Sequence, residues 1–518
     1  MTKTALTKGG FRLPTVYKKS QTHVETCLSQ ADIDYADLTQ WSFPDEFLCF
    51  VLQTDLLSFV DRTYPNPREK NEIPIWFLIT CQFLMRLHQT GKYRHLRYLL
   101  HSGSLLTRFG YNVGSSRIGF NDKNKKERKT AIHDDSVRKF FKDTNKADIR
   151  QWYHTDLQRW FKTKKAFHHT GLFILDQSHL VVPDNENYKG AVKMPVDEHG
   201  QLYSNLGTLT KEQKRSLVYH PCYTLSVLLN VSPIKAHYHI AGYEFGPGNE
   251  DELPQAKILV PNFCRQFPGV MKELIVDRGY IDGEFFSTLK GNYGVDVLVP
   301  LKTNMATYQD AIAIAEHTNQ WELLEDEKDP SGKTIKKTEL TTIKDMDLWD
   351  SAKHKQQVVI SKGTVWDDED QQYKNDYFVL ASTKHYTKPV YAIRRYKLRT
   401  QVEERYRQFK HGWYISDFPS PHEALVESHI CFILFTYSLL QLYLQRNGSQ
   451  EQTNQMIQTL RVDEHLGKDA VLVYSGKYYG IFDLDDYTVR VAGMEDNPRQ
   501  KLKLLMGRQK KVRLKREL

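Results

Sequence analysis

Two short runs constrain this chain more than anything else in it. Residues 171 to 182 read GLFILDQSHLVV, and residues 272 to 280 read KELIVDRGY. In each, three consecutive apolar residues (Phe173, Ile174, Leu175 and Leu274, Ile275, Val276) run straight into an aspartate. A continuous apolar run too short for a helix marks a strand covered on both faces, as in an α/β sheet. An aspartate at the end of such a strand is costly to bury unless it is paired or meets a cation. Asp176 and Asp277 are therefore candidates for chemistry. The segments around them agree with an α/β reading. Residues 223 to 231 and 235 to 244, rich in β-branched and aromatic residues, predict an antiparallel hairpin through Ser232 and Pro233. A helix is expected from Asp251 to Phe267, closed by Pro268 and Gly269. Gly279 permits a turn into a helix from Asp282 to Leu289, and Val295 to Pro300 reads as one more buried strand.

A third stretch, residues 391 to 413 (YAIRRYKLRTQVEERYRQFKHGW), predicts a single helix: it has no proline, and no glycine before Gly412. At about 100° per residue, Val402, Tyr406, Phe409 and Trp413 form an apolar face, and Tyr396, Arg399, Glu403 and Lys410 share a narrow stripe beside it. Glu404 points elsewhere on the same wheel, so Glu403 is the candidate. A carboxylate among cations on a helix is ordinarily a solvated ion-pair face worth little to stability. The spacing sets this one apart. Tyr396, two residues, Arg399, three residues, Glu403, six residues and Lys410 reproduce the Tyr-Arg-Glu-Lys signature of the family-four insertion-sequence (IS-four-like, DDE-type) transposases, and the chain resembles that family.

The resemblance implies an α/β ribonuclease-H-like catalytic core in which two strand ends and one helix meet, with a strand-rich insertion before the third acid. On this reading residues 166–305 and 388–415 form the core and 306–387 the insertion. Residues 1–165 form an α-helical N-terminal domain that binds DNA, and 416–518 a helical C-terminal region with a basic tail. Relatives use an aromatic of the insertion to hold a base drawn out of the duplex. Trp321, Trp349 and Trp366 are the candidates, although core packing is the ordinary role for each.

Asp176, Asp277 and Glu403 lie 101 and 126 positions apart, so only tertiary folding can join them. Together they make an all-oxygen, highly charged site suited to Mg²⁺ or Mn²⁺. Two such ions about 3.5 to 4 Å apart support in-line displacement at a phosphodiester. Water is the expected first nucleophile, and the freed 3′-OH then attacks DNA; the resemblance implies a hairpin intermediate between the two steps. Arg399 and Lys410 suit phosphates, one as a planar fork and one as a point charge. Tyr396 suits a phosphate oxygen or a base, and Arg395 and Arg407 stand as helpers.

The 518 residues exceed one ordinary core, so two to four domains are expected. Charge is unevenly placed: residues 499 to 518 hold nine Lys or Arg against Glu517 alone, a net +8 out of a formal +9. The rest is nearly neutral, a pattern suited to meeting a polyanion at chosen surfaces, or in the tail to simple solubilisation. Six scattered cysteines without a CxxC pair predict free thiols in a reducing cytoplasm, with neither zinc site nor disulfide frame. MTKTALTKGG lacks an apolar signal core, and the run from Ile430 to Leu444 is shorter than the ~20 residues of a span, so no membrane is expected. The expected function is DNA transposition at terminal inverted repeats, with double-stranded DNA as partner and a homodimer holding two paired ends. The alternatives are a domesticated DNA-binding relative without strand transfer, and a nuclease that cuts without joining.

Overall fold

The computed structural model describes residues 16–41, 43–69, 73–96, 133–197, 202–203, 207, 209–328, 334–347, 349–367, 370–447 and 468–517. The chain forms two compact units, residues 153–416 and, separately, 1–152 with 417–518.

The unit formed by residues 153–416 is built on a ten-stranded sheet. Strand β3 (Leu172–Val181) begins with the predicted apolar run, and Leu172 to Leu175 are all buried. It pairs antiparallel with β5 (Val218–Val231), which pairs antiparallel with β6 (Tyr238–Pro247), the predicted hairpin. Strand β4 (Val192–Val196) joins the first part of β5. On its other edge β3 pairs parallel with β7 (Glu273–Ile275), and β7 pairs parallel with β8 (Asp296–Pro300). The expected helices follow at Glu252–Gln266 and Gly283–Tyr293. Phe173, Leu175, Leu274 and Val276 enter one core with Leu259, Phe263, Phe286 and Leu289 of those helices. By strand alternation Ile174, Asp176, Ile275 and Asp277 then face the opposite side.

The acidic segment before the third carboxylate is strand-rich: β9 (Glu322–Lys328), β10 (Thr334–Met346), β11 (Gln356–Asp367) and β12 (Gln372–Ser382) form an antiparallel ribbon. It does not stand apart, because β12 pairs with β8 and so continues the same sheet. Met346, Val358, Ile360, Val379 and Ala381 carry the core into the ribbon. Trp349 packs edge-on to Phe286, 5.9 Å between centroids, and Trp321 lies against the same core beneath Lys362. Trp366 meets Tyr373 at 5.0 Å near the ribbon's far end.

The other unit joins the two ends of the chain. Strands β2 (Tyr35–Trp41), β13 (Lys468–Ser475) and β14 (Tyr478–Asp483) are antiparallel neighbours, and β1 (Lys18–Lys19) pairs parallel with β14. Val24, Leu28, Ile33, Val471, Val473, Phe482, Tyr487 and Leu502 fill their core. The expectation of a mostly helical N-terminal domain did not include β2: its residues pair with β13, more than 400 positions away. Beside this sheet is a helical part, in which Glu423–Arg446 is packed by the helices Phe43–Gln53, Ile75–Leu87, Asp134–Asp143 and Lys146–Trp152. At 24 residues Glu423–Arg446 is long and apolar enough to cross a membrane, but its most apolar window is wholly buried in the protein, as in a core helix. Glu427 within it is buried and receives Arg150 through Nε (3.0 Å) and Nη2 (2.7 Å). The basic run from Asn121 to Thr130 lies outside the described residues. The basic C-terminal segment forms the helix Asp496–Glu517.

Candidate active site

The register of the central strands brings the first two acids together. Leu172 stands opposite Glu273, Phe173 opposite Leu274 and Ile174 opposite Ile275. Two positions further along the same parallel register, Asp176 comes beside Asp277 on the same face. Each carboxylate also accepts the next backbone N–H, Gln177 N–H at 2.9 Å and Arg278 N–H at 2.7 Å.

The third acid arrives on a segment that is not one helix, as its composition suggested, but two. Pro389–Lys397 and Thr400–His411 are separated at Leu398 and Arg399. Both residues keep helical dihedrals, and the hydrogen bonds there tighten to three-residue spacing: Arg399 N–H donates to Tyr396 O and Val402 N–H to Arg399 O. The two helices are anchored separately. Arg395 of the first lies 3.6 Å from the buried Glu273, which also receives Lys384 and the Tyr386 hydroxyl at 2.6 Å each. The second buries Val402, Tyr406 and Phe409, and Trp413 just past its end is buried with them, the apolar face read from the sequence. Tyr406 reaches β3 and β5, its hydroxyl 2.6 Å from Asp176 O and 2.9 Å from Leu225 O.

Arg399 stands at the centre of the result. Its Nη1 lies 3.4 Å from Asp176 Oδ2 and 3.5 Å from Asp277 Oδ2, and its Nη2 donates to Glu403 Oε1 at 2.6 Å. The structure thus gathers Asp176, Asp277 and Glu403 on one guanidinium. Tyr396 joins them, donating from its hydroxyl to Asp277 Oδ1 at 3.3 Å. Lys410 stands further along the helix, near His179 and Cys222; surrounding protein lowers its ammonium pKa and Cys222 partly offsets that. Arg407 pairs with Glu404 at 2.6 Å, and Arg395 is engaged by Glu273, so neither touches the three carboxylates.

The electrostatics are those of an acidic site short of positive charge. Burial pushes the Asp176 carboxyl up to about 7; Arg399 and the Gln177 N–H pull it down, while Asp277 and Glu252 push it further up. Burial opposes the charge on Arg399, but Asp277, Tyr396, Asp176 and Glu403 outweigh it and raise its pKa. Burial, then Asp277, raises the Tyr396 phenol to about 12. Glu252, at the start of the helix Glu252–Gln266, is a carboxylate of this neighbourhood that spacing could not reveal. In sequence it is only one polar residue of a helix start.

Oxygen donors around one point suit a hard divalent cation. Among the described residues no three acidic or histidine side chains stand close enough to one another to ligate a single ion. The guanidinium lies between the carboxylates and must withdraw before a metal can take that place. The donor chemistry fits such an ion, and burial, which raises the Asp176 pKa, leaves that carboxylate with charge that a cation would stabilise.

No curated protein matches the chain. The family model described as a transposase DDE domain matches residues 167–439, which include β3, β7 and the Glu403 helix. That match covers more than half of the sequence and contains all three acids. The protein belongs to the family of transposases with a DDE domain.

Proposed function

We propose that the protein is a cut-and-paste DNA transposase of the family-four insertion-sequence group, with Asp176, Asp277 and Glu403 as its catalytic carboxylates. One observation carries this reading: three acids far apart in the chain converge on the Arg399 guanidinium. The order β6-β5-β3-β7-β8, antiparallel on one side of β3 and parallel on the other, supports a ribonuclease-H-like core.

In this reading the three carboxylates hold Mg²⁺ or Mn²⁺, two ions per site. When bound, these ions supply activation of the attacking oxygen and stabilisation of the leaving one at a phosphodiester. The chain's own residues do the rest. Arg399, released from the carboxylates, offers its planar fork to a phosphate of the strand being cut. Tyr396, beside Asp277, meets the strand end, and Lys410 and Arg407 meet neighbouring phosphates. The Tyr406 hydroxyl holds the Glu403 helix against the strand that carries Asp176, which keeps the two acids in register. The DNA substrates are the element's terminal inverted repeats and the target, with a hairpin as the intermediate. Two copies of the chain hold the paired ends, in the cytoplasm at the nucleoid.

The test is cleavage and joining of a duplex carrying the element's end, with Mg²⁺. Asp176→Ala, Asp277→Ala and Glu403→Ala should each abolish cleavage while end binding persists. Near-normal cleavage by any of the three rejects its assignment. End binding by the wild type without any nicking would favour a DNA-binding protein that has lost strand transfer.

A further inference from the structure

The site holds one more acid than the reaction has been assigned. Glu252 opens the helix Glu252–Gln266, packed against the turn Arg278–Tyr280 that follows Asp277. Its carboxylate occupies the space that a side chain at Gly279 would need: a Cβ there would overlap its Oε1 and Cδ. Gly279 thus forms a cradle in the chain between Asp277 and Tyr280. Glu252 is half-buried, and among the described residues its carboxylate makes no hydrogen bond and no ion pair. Burial, then Asp277, opposes its ionisation and Asp251 adds to this, while Lys302 and Arg399 favour it. Asp176, Tyr280 and Tyr406 in turn feel Glu252.

A half-buried carboxylate beside other carboxylates, with no donor of its own, opposes folding. Asp176, Asp277, Glu403 and Glu252 outnumber Arg399 and Lys302, which leaves an excess of acidic groups at this end of the sheet. A divalent cation held among these carboxylates attracts each of them and so offsets their mutual repulsion. The cradle at Gly279 keeps Glu252 within electrostatic reach of Asp277 and Asp176.

We propose that Glu252 is a positioning residue of the active site, a fourth acid whose charge raises the affinity of the Asp176 and Asp277 end for a divalent cation. The proposal rests on the reading of Asp176, Asp277 and Glu403 as the metal-holding carboxylates. It assigns Glu252 no contact with DNA and no part in proton transfer.

The experiment is titration of the full-length, metal-free protein with Mn²⁺ alone, without DNA, followed by calorimetry and by the Mn²⁺ spin-resonance signal. Four proteins are compared: wild type, Glu252→Gln, Gly279→Ala and Asp277→Asn. Glu252→Gln should weaken Mn²⁺ binding about tenfold, the equivalent of one lost charge interaction of ~1.4 kcal/mol. Its metal-free melting temperature should stay the same or rise, because a repulsive charge is gone. A merely structural glutamate would show the reverse, an unchanged affinity and a lowered melting temperature. Gly279 has an ordinary backbone conformation, so Gly279→Ala tests the cradle by displacing the carboxylate without removing it, and should also weaken Mn²⁺ binding. Unchanged Mn²⁺ affinity in Glu252→Gln overturns the proposal whatever the other variants do. Unchanged affinity in Asp277→Asn instead overturns the reading of the site on which it rests.

Discussion

Tyr406 shows how much one hydroxyl can organise. A phenol carries one hydrogen, so it donates to Asp176 O or to Leu225 O at any moment, and stands 2.6 and 2.9 Å from them. Both acceptors are backbone carbonyls of the strands that frame the first acid. Tyr406→Phe leaves them without that donor and should cost about 1–2 kcal/mol of stability, read from the urea midpoint. The same change should lower cleavage by more than the loss of folded protein accounts for, because the Glu403 helix is freed from the strand that carries Asp176. A cleavage rate that merely follows the folded fraction would show that the hydroxyl serves stability alone. Asp176 itself was legible as an acid closing a buried apolar run, although the strand does not end there but continues to Val181. The raised pKa that burial gives it depends on neighbours that only the fold supplies.

At the scale of elements, the break between the two helices at Leu398 and Arg399 decides the geometry. The first helix is held by Glu273, a nearly inaccessible acid of β7 that gathers Lys384, Tyr386 and Arg395. Glu273→Ala leaves those donors around an empty acceptor position and should destabilise the protein by about 3 kcal/mol in chemical denaturation. It should also disturb Tyr396 and Arg399, which stand at the end of the helix so released. A loss of stability much under 1 kcal/mol would show that Lys384 and Arg395 turn to solvent instead. Sequence spacing found the stripe of Tyr396, Arg399 and Glu403 correctly even though the helix is divided, because both linking residues keep helical dihedrals. The division itself left no mark in composition, since neither glycine nor proline causes it. The strand-rich insertion was likewise legible as strands, yet its union with the sheet through β12 and β8 was not.

At the scale of the whole molecule, stability should fall in acid for a stated reason. His237, just before β6, and His239, within it, are buried, their Nε2 atoms 3.0 Å from Asn230 Oδ1 and 2.9 Å from Gln158 Oε1. Burial, then His168 and Lys235, lowers His237 to about 3, and burial, then His237, holds His239 well below its ordinary value. Both stay neutral when folded, whereas in the unfolded chain they take up protons below about pH 6.5. The full stability is therefore present above that pH and is lost as pH falls, by about 1.4 kcal/mol per pH unit for each histidine. Denaturation midpoints at pH 7 and pH 5 should show this decline, and His237→Gln should make it shallower. An identical slope in that variant would place the acid sensitivity elsewhere.

The sequence by itself determined what can be decided locally: which short runs are buried strands, where an acid closes each apolar run, and which helix face is apolar. Periodicity and the cost of burying a charge act within a few residues, so they can be read from neighbours in the chain. Only the tertiary structure decided that Asp176, Asp277 and Glu403 share one guanidinium, that Glu252 stands beside them, and that the two ends of the chain close into one sheet. Those facts depend on strand register and on packing between residues far apart in the chain, where the free energy lies in contacts that no local pattern encodes.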